Sequence, residues 1–278
     1  MISLHRAARL IRHLPGLERA DYLWDAIRGS YRYLLDFRGR GTKVMVGCAL
    51  PVRMPSEFTG SAWESFEPEA VSRFVGWMRT NPGGLVLDIG SSLGIYSAVA
   101  LFADKRAEVV AFDSDLASLA AVRRLCRHAE GNRLGLVHGF IAHTSDDGAS
   151  LALAMATTDK ALAPVMAGSP TRYICLGDTR HGTIPCRRLD DLISDEVVNG
   201  RRLLIKCDVE GAELLVLTGA EMALRRYRPT LLVSVHPEVL PAYGDSKQKL
   251  QNFLRALGYD HVCLAIDHEE HWWCELKS

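Results

Sequence analysis

Two hydrophobic periods alternate along the chain. Residues 85–90 read LVLDIG, 108–113 EVVAFD, 134–143 LGLVHGFIAH, 202–208 RLLIKCD and 229–237 PTLLVSVHP. Each run is apolar on both faces, the pattern of a strand covered on two sides. Residues 67–78, 94–103, 115–129, 188–197, 211–227 and 246–257 instead repeat apolar side chains at helical spacing. The turn signal NPGG (81–84) stops the first of these helices, and Gly131-Asn132 the third. Strands alternating with helices predict a mostly parallel sheet sandwiched between helices. The last two runs, HVCLAID and HWWCELK, are separated only by HEE. That gap permits an antiparallel hairpin and no parallel crossover.

Two segments break the rhythm. Residues 1–60 read as an N-terminal extension, two helical stretches followed by a short hairpin in RGRGTKVMVGCALPVRM; residues 61–278 read as one domain. Within that domain, 145–185 is rich in Gly, Ala, Thr and Pro and too long for a plain connection, so it is expected to be a lid or an insertion. The N-terminal stretch MISLHRAARLIRHLPG interleaves Arg6, Arg9 and Arg12 with its apolar residues, which argues against a signal peptide. We expect this helix to pack on its own domain. The alternative is peripheral membrane contact, with Leu10, Ile11 and Leu14 turned to the surface. No run is long and apolar enough for a transmembrane span.

Composition narrows the class. The chain of 278 residues is 48% hydrophobic and 24% charged with zero formal net charge, an ordinary globular balance that gives no reason to expect nucleic acid as a partner. Its seven cysteines are odd in number, contain no C-x-x-C pair and lie mostly in apolar runs. Buried free thiols in a cytoplasmic protein are the expectation.

The chemistry concentrates in LVLDIGSSLGIYS (85–97). The strand ends on Asp88, and Gly90 and Gly94 flank a turn into a helix whose free N–H groups face the same edge. The next strand ends on Asp113, where a carboxylate can accept both hydroxyls of a ribose. The dinucleotide pattern G-x-G-x-x-G fails, because Ser92 and Ile95 stand where its later glycines belong. An acid ahead of the first glycine suits a cofactor with an amino-acid end. We therefore expect S-adenosylmethionine, with its amino-acid end at Asp88 and its ribose at Asp113.

At these residues the sequence resembles a known family. VLDIGSSLGIYS, VVAFDSD, RRLDDLI, IKCDVEGAELLVLTGA and RPTLLVSVHP occur in the order of FkbM-type methyltransferases, class I S-adenosylmethionine-dependent enzymes, over roughly residues 64–260. The resemblance implies a Rossmann-like α/β fold with a seven-stranded, mostly parallel sheet and a C-terminal antiparallel hairpin. It implies O-methylation of a hydroxyl on a sugar, glycan or natural product. It maps Asp88, Gly90, Ser92 and Gly94 onto the cofactor loop, and Asp113 onto the position of a ribose-binding glutamate. It also maps Glu67 onto a glutamate ahead of the first core strand. Ser92 replaces a common asparagine, and Ser234 replaces a glutamate frequent on the fifth strand.

Beyond the cofactor, an alcohol acceptor must lose a proton, so a base or a metal is needed within hydrogen-bond reach. Asp208 and Glu210 in CDVEGAE and His236 in VSVHP are the catalytic candidates. They could also hold a divalent metal, but with nothing to fix their geometry the metal-free reading ranks first. Glu213 reads as an ordinary acid in the first turn of a helix. Lys206, inside an apolar strand, requires a carboxylate partner. Two other readings compete: a non-catalytic cofactor-binding or scaffolding module, and a nicotinamide-dependent oxidoreductase, against which the missing glycines count.

Overall fold

The computed structural model describes residues 41–129, 131–144, 172–175 and 184–277, the four residues 172–175 as backbone only. A two-stranded antiparallel hairpin, β1 (Thr42–Val46) and β2 (Leu50–Met54), leads into α1 (Pro68–Thr80). The core follows as β3 (Leu85–Ile89), α2 (Ile95–Ala103), β4 (Glu108–Asp113), α3 (Leu116–Cys126) and β5 (Leu134–His138). Next come β6 (Phe140–Ile141), β7 (Arg172–Cys175), β8 (Cys186–Arg187), α4 (Leu189–Leu192) and α5 (Asp195–Val198). The chain ends with β9 (Leu203–Cys207), α6 (Glu213–Thr218), α7 (Glu221–Tyr227), β10 (Thr230–Val235), α8 (Lys247–Ala256), β11 (Tyr259–Ile266) and β12 (Glu270–Leu276).

The main sheet runs β11-β12-β10-β9-β3-β4-β5-β7. All its pairings are parallel except those of β12, which lies antiparallel between β10 and β11. This is the expected class I methyltransferase-like α/β sheet of seven strands with its C-terminal hairpin. An eighth strand, β7, is added beside β5 from within the stretch expected to be a lid or an insertion. The rest of residues 145–183 and the two N-terminal helical stretches lie outside the described residues.

Strand parity sorts the core. Leu87, Ile89, Phe112, Ile205, Val233 and Trp272 pack on one face under α4–α8. Val86, Val109, Ala111, Leu204, Leu232 and Trp273 pack on the other under α1–α3. The β1–β2 hairpin joins the second layer through Val46, Val52 and Met54.

Three expected elements are divided. The strand over 134–143 stops at Gly139, after which β6 leaves the main sheet to pair with β8. The helix over 211–227 breaks at Gly219 into α6 and α7, and 188–197 forms two single turns, α4 and α5. Periodicity reports which face is apolar, and these breaks keep that face while redirecting the backbone. No helix among the described residues is long and apolar enough to cross a membrane, and the described cysteines are free, with Cys126, Cys207 and Cys274 buried.

Candidate active site

In an open α/β sheet the crevice forms where strand order reverses, outside the carboxyl ends. Here β3 continues outward to β4 and β5, while β9 continues the other way to β10. The crevice therefore opens above Gly90 and Asp208. Gly90 has a φ of 75°, and a Cβ there would stand 1.7 Å from the carbonyl oxygen of Asp208. The two loops meet so closely that only glycine fits. Gly94, at φ 82° and against Val122, turns the chain into α2.

A cleft of about 610 Å³ lies over the β3–β4 side, lined by Gly90, Ser92, Asp113, Phe140 and Leu215 among others. A smaller cavity of about 210 Å³ continues past Gly90 and is lined by Glu67, Asp88, Ser91, Tyr96, Lys206 and Glu269 among others. Gly90, Ser92, Asp208 and Glu210 border both. A larger groove, about 730 Å³, lies at the opposite end of the sheet beside Leu203 and Thr230. Two of its arginines, Arg201 and Arg226, already pair with Glu108 and Asp195, and it lacks the acid–histidine chemistry of the first crevice.

Asp113 accepts hydrogen bonds from the backbone N–H of Ser92 at 2.8 Å and of Asp115 at 2.9 Å, which pins the glycine loop to β4. Burial raises its pKa against these bonds. Asp88 is buried and its Oδ2 accepts from the N–H and hydroxyl of Ser97 on α2, at 3.1 and 2.6 Å. Its pKa is likewise raised by burial, with Lys206 pulling the other way. The Ser91 hydroxyl is buried with no partner among the described residues.

Asp88, Lys206, Ser234 and His271 share one strand parity, on the α1–α2 face, at the carboxyl half of the sheet. Asp88 is in register with Lys206 and Ser234 with His271. Lys206, buried, donates to Asp208 Oδ2 at 2.6 Å, the carboxylate partner its position required. Burial alone would lower the lysine pKa, and the carboxylates of Asp208, Asp88 and Glu67 reverse that and raise it. Asp208 is held below the ordinary range; burial pushes it up, but Lys206 prevails. Glu67 accepts from the Tyr96 hydroxyl at 2.6 Å, its pKa raised by burial. It stands 3.6 Å from His271 Nδ1.

His236 follows β10 and is buried between two carboxylates. Its Nδ1 lies 2.7 Å from Glu213 Oε1 and its Nε2 2.7 Å from Glu269 Oε2. Those bonds, Glu213 first, raise its pKa to about 10 against the effect of burial. Asp208 Oδ1 and Glu210 Oε2 stand 3.8 and 3.7 Å from the same Nε2. Glu210 is largely exposed and has a φ of 51°. Three of the six non-glycine residues with positive φ among the described residues, Glu67, Ser92 and Glu210, border the two cavities, where backbone strain commonly accompanies function. Even with both imidazoles charged, Lys206, His236 and His271 face five carboxylates: Glu67, Asp88, Asp208, Glu213 and Glu269. The pocket holds more acidic than basic side chains.

Glu67, Asp88, Gly90, Ser92, Asp113, Asp208 and Glu210 line the two cavities, His236 reaches the same mouth and Gly94 packs behind it against Val122; the N-terminal arginines and leucines lie outside the described residues. Sequence reasoning missed Glu269, His271 and Tyr96, and took Glu213 for an ordinary helix-start acid. His271 had a legible signal, a polar residue at a buried parity beside Trp272 and Trp273. Glu269, in the turn between β11 and β12, had none.

The family model described as the methyltransferase FkbM domain matches residues 88–260. Among solved structures the chain is similar to methyltransferase FkbM from Methylobacillus flagellatus KT, at 16% identity and a TM-score of 0.45, covering 91% of this chain and 60% of that one. This chain thus spans less than two thirds of that relative's length. It is also similar to a methyltransferase from Geobacter sulfurreducens (14% identity, TM-score 0.39, 98% and 96% covered). A third is a SAM-dependent methyltransferase from Thiobacillus denitrificans in complex with S-adenosyl-L-homocysteine (13%, 0.37, 70% and 65%). No curated protein matches the chain.

Proposed function

Because this chain belongs to the FkbM family of S-adenosylmethionine-dependent methyltransferases, we propose that it methylates a hydroxyl oxygen on a sugar, glycan or natural-product acceptor. The observation that carries this reading is the pair of cavities meeting at Gly90, Ser92, Asp208 and Glu210. The adenosine half of the cofactor fits the larger cleft, with Asp113 on the ribose. The amino-acid half passes Gly90 into the smaller cavity, toward Asp88, the unpartnered Ser91 hydroxyl and Glu67. Asp208 and Glu210, which border both cavities, would then face the methyl group.

The cofactor supplies a sulfonium-bound methyl; the chain's residues align an acceptor with it. Alignment alone is worth roughly 7–11 kcal/mol of barrier. Transfer would form an oxygen–carbon bond at the expense of the carbon–sulfur bond, with S-adenosylhomocysteine as the leaving group, and would require the hydroxyl to give up its proton. Glu210 takes that proton, being exposed at the mouth and free of the lysine that occupies Asp208. With no cation at its Nε2, His236 is held protonated by Glu213 and Glu269, and in either state it orients these carboxylates.

Calorimetry with S-adenosylhomocysteine tests the cofactor half: wild type should bind, and Asp113→Ala should weaken binding at least tenfold. Undiminished binding by the variant would overturn the placement. Transfer of labelled methyl to a panel of hydroxylated acceptors tests the chemistry. Retained cofactor binding with no transfer to any member would favour a non-catalytic module.

A further inference from the structure

The geometry points to a divalent metal ion held by Asp208, His236 and Glu269 at the mouth of the crevice. One ligand atom from each residue lies within 4.8 Å of the others. The His236–Glu269 separation is 2.7 Å and the His236–Asp208 separation 3.8 Å. Ligands about 2.1 Å from one ion stand about 3 Å apart at right angles, so small side-chain rotations bring all three onto it. The ion replaces the proton between His236 Nε2 and Glu269.

Two further observations single out this cluster. A metal-bound histidine characteristically donates its other ring N–H to a carboxylate, which fixes the ring. Glu213 does this here: fully buried, it takes His236 Nδ1 on Oε1, an atom also anchored by the Gly211 N–H at 2.9 Å. The other oxygen of this glutamate, Oε2, is buried with no partner among the described residues. In addition, five acidic side chains, Glu67, Asp88, Asp208, Glu213 and Glu269, crowd around this mouth, a donor-rich setting for a cation. Glu67, Glu269 and His271 form another group of three, and Asp267, His268 and Glu269 a third, but in neither does a buried carboxylate outside the group hold the histidine's second ring nitrogen.

Asp208 and Glu269 both line the crevice, so the ion keeps open positions facing it. Two carboxylates and one imidazole suit Mn²⁺, Fe²⁺ or Zn²⁺ better than Ca²⁺. Its role rests on the proposed methyl transfer: it would hold the acceptor oxygen and favour loss of its proton.

The test uses the full chain stripped with chelator and titrated with Mn²⁺ and Zn²⁺ by calorimetry. One ion per chain is expected. Glu269→Gln and His236→Ala should each weaken binding at least tenfold, and Glu213→Gln by about 10–100-fold as a positioning residue. Bound Mn²⁺ should enhance water-proton relaxation, reporting open coordination positions. S-adenosylhomocysteine binding is measured on every variant; if His236→Ala does not fold, the near-isosteric Glu269→Gln decides. No ion binding by wild type at millimolar metal, or wild-type affinity in Glu269→Gln, overturns the site. Absence of relaxation enhancement overturns the acceptor-holding role. Ion binding without S-adenosylhomocysteine binding would instead sink the proposed function and leave the metal site standing.

Discussion

At single residues the crevice is built from positions where no other side chain fits, or where burial and hydrogen bonds pull an acid in opposite directions. Gly90 is the first kind. A methyl at its Cβ collides with the Asp208 carbonyl, and its φ of 75° already disfavours other residues. Gly90→Ala should therefore cost about 1–3 kcal/mol, read as a lowered urea midpoint, and should abolish S-adenosylhomocysteine binding. A variant as stable as wild type would mean the loops are not in contact. Asp113 is the second kind. The N–H groups of Ser92, Ser114 and Asp115 favour its charged form, while burial and the Asp115 carboxylate oppose it, and burial wins. The folded chain thus holds this proton more tightly than the unfolded chain. The resulting stability is complete below the ordinary 3.8 and is lost as pH rises through the folded value. Urea midpoints of wild type and Asp113→Asn, compared between about pH 4 and about pH 6, should show the wild-type advantage shrinking as pH rises. A difference that grew with pH would contradict the burial argument.

At the level of elements, the strands were legible because a strand covered on both faces has few ways to look otherwise. β3, β4, β9 and β10 fall within two residues of their expected ends. The helices over 188–197 and 211–227 were legible as apolar faces but not as pairs of shorter helices, because period reports a face and not the continuity of an axis. Where β12 inserts was legible only in part: HEE required a hairpin, but nothing local placed its second strand inside the sheet. That placement positions Glu269 beside His236 and His271 against Ser234, so a carboxylate reaches this region although position 234 carries only a hydroxyl. Trp272 holds the hairpin there. It is fully buried, stacks on His261 of β11 at 4.2 Å, and donates from Nε1 to Glu270 at 2.9 Å. Trp272→Ala should cost about 3–5 kcal/mol. Loosening the turn should also weaken whatever Glu269 holds. A loss below about 1 kcal/mol in urea unfolding would mean that the sheet tolerates the hairpin's displacement.

For the molecule as a whole, one crevice is fed by both halves of the sheet. The first half contributes Asp88, the glycine loop and Asp113; the second contributes Asp208, Glu210 and His236. Neither half encloses a ligand alone, since the two cavities share the residues where β3 and β9 part. A cofactor spanning them should therefore brace the fold across the β3–β9 switch point. A ligand that binds only the folded state stabilises it by about 2.7 kcal/mol at one hundred times its Kd. Thermal unfolding in S-adenosylhomocysteine should accordingly shift upward and keep rising with the logarithm of ligand concentration. Gly90→Ala should lose this response by closing the passage between the cavities, and Asp113→Ala by removing the ribose contact. NADH should give no shift, because the loop lacks the glycines that seat a pyrophosphate. A shift with NADH and none with S-adenosylhomocysteine would return the crevice to the oxidoreductase reading. A shift that survives Asp113→Ala unchanged would move the cofactor away from β4.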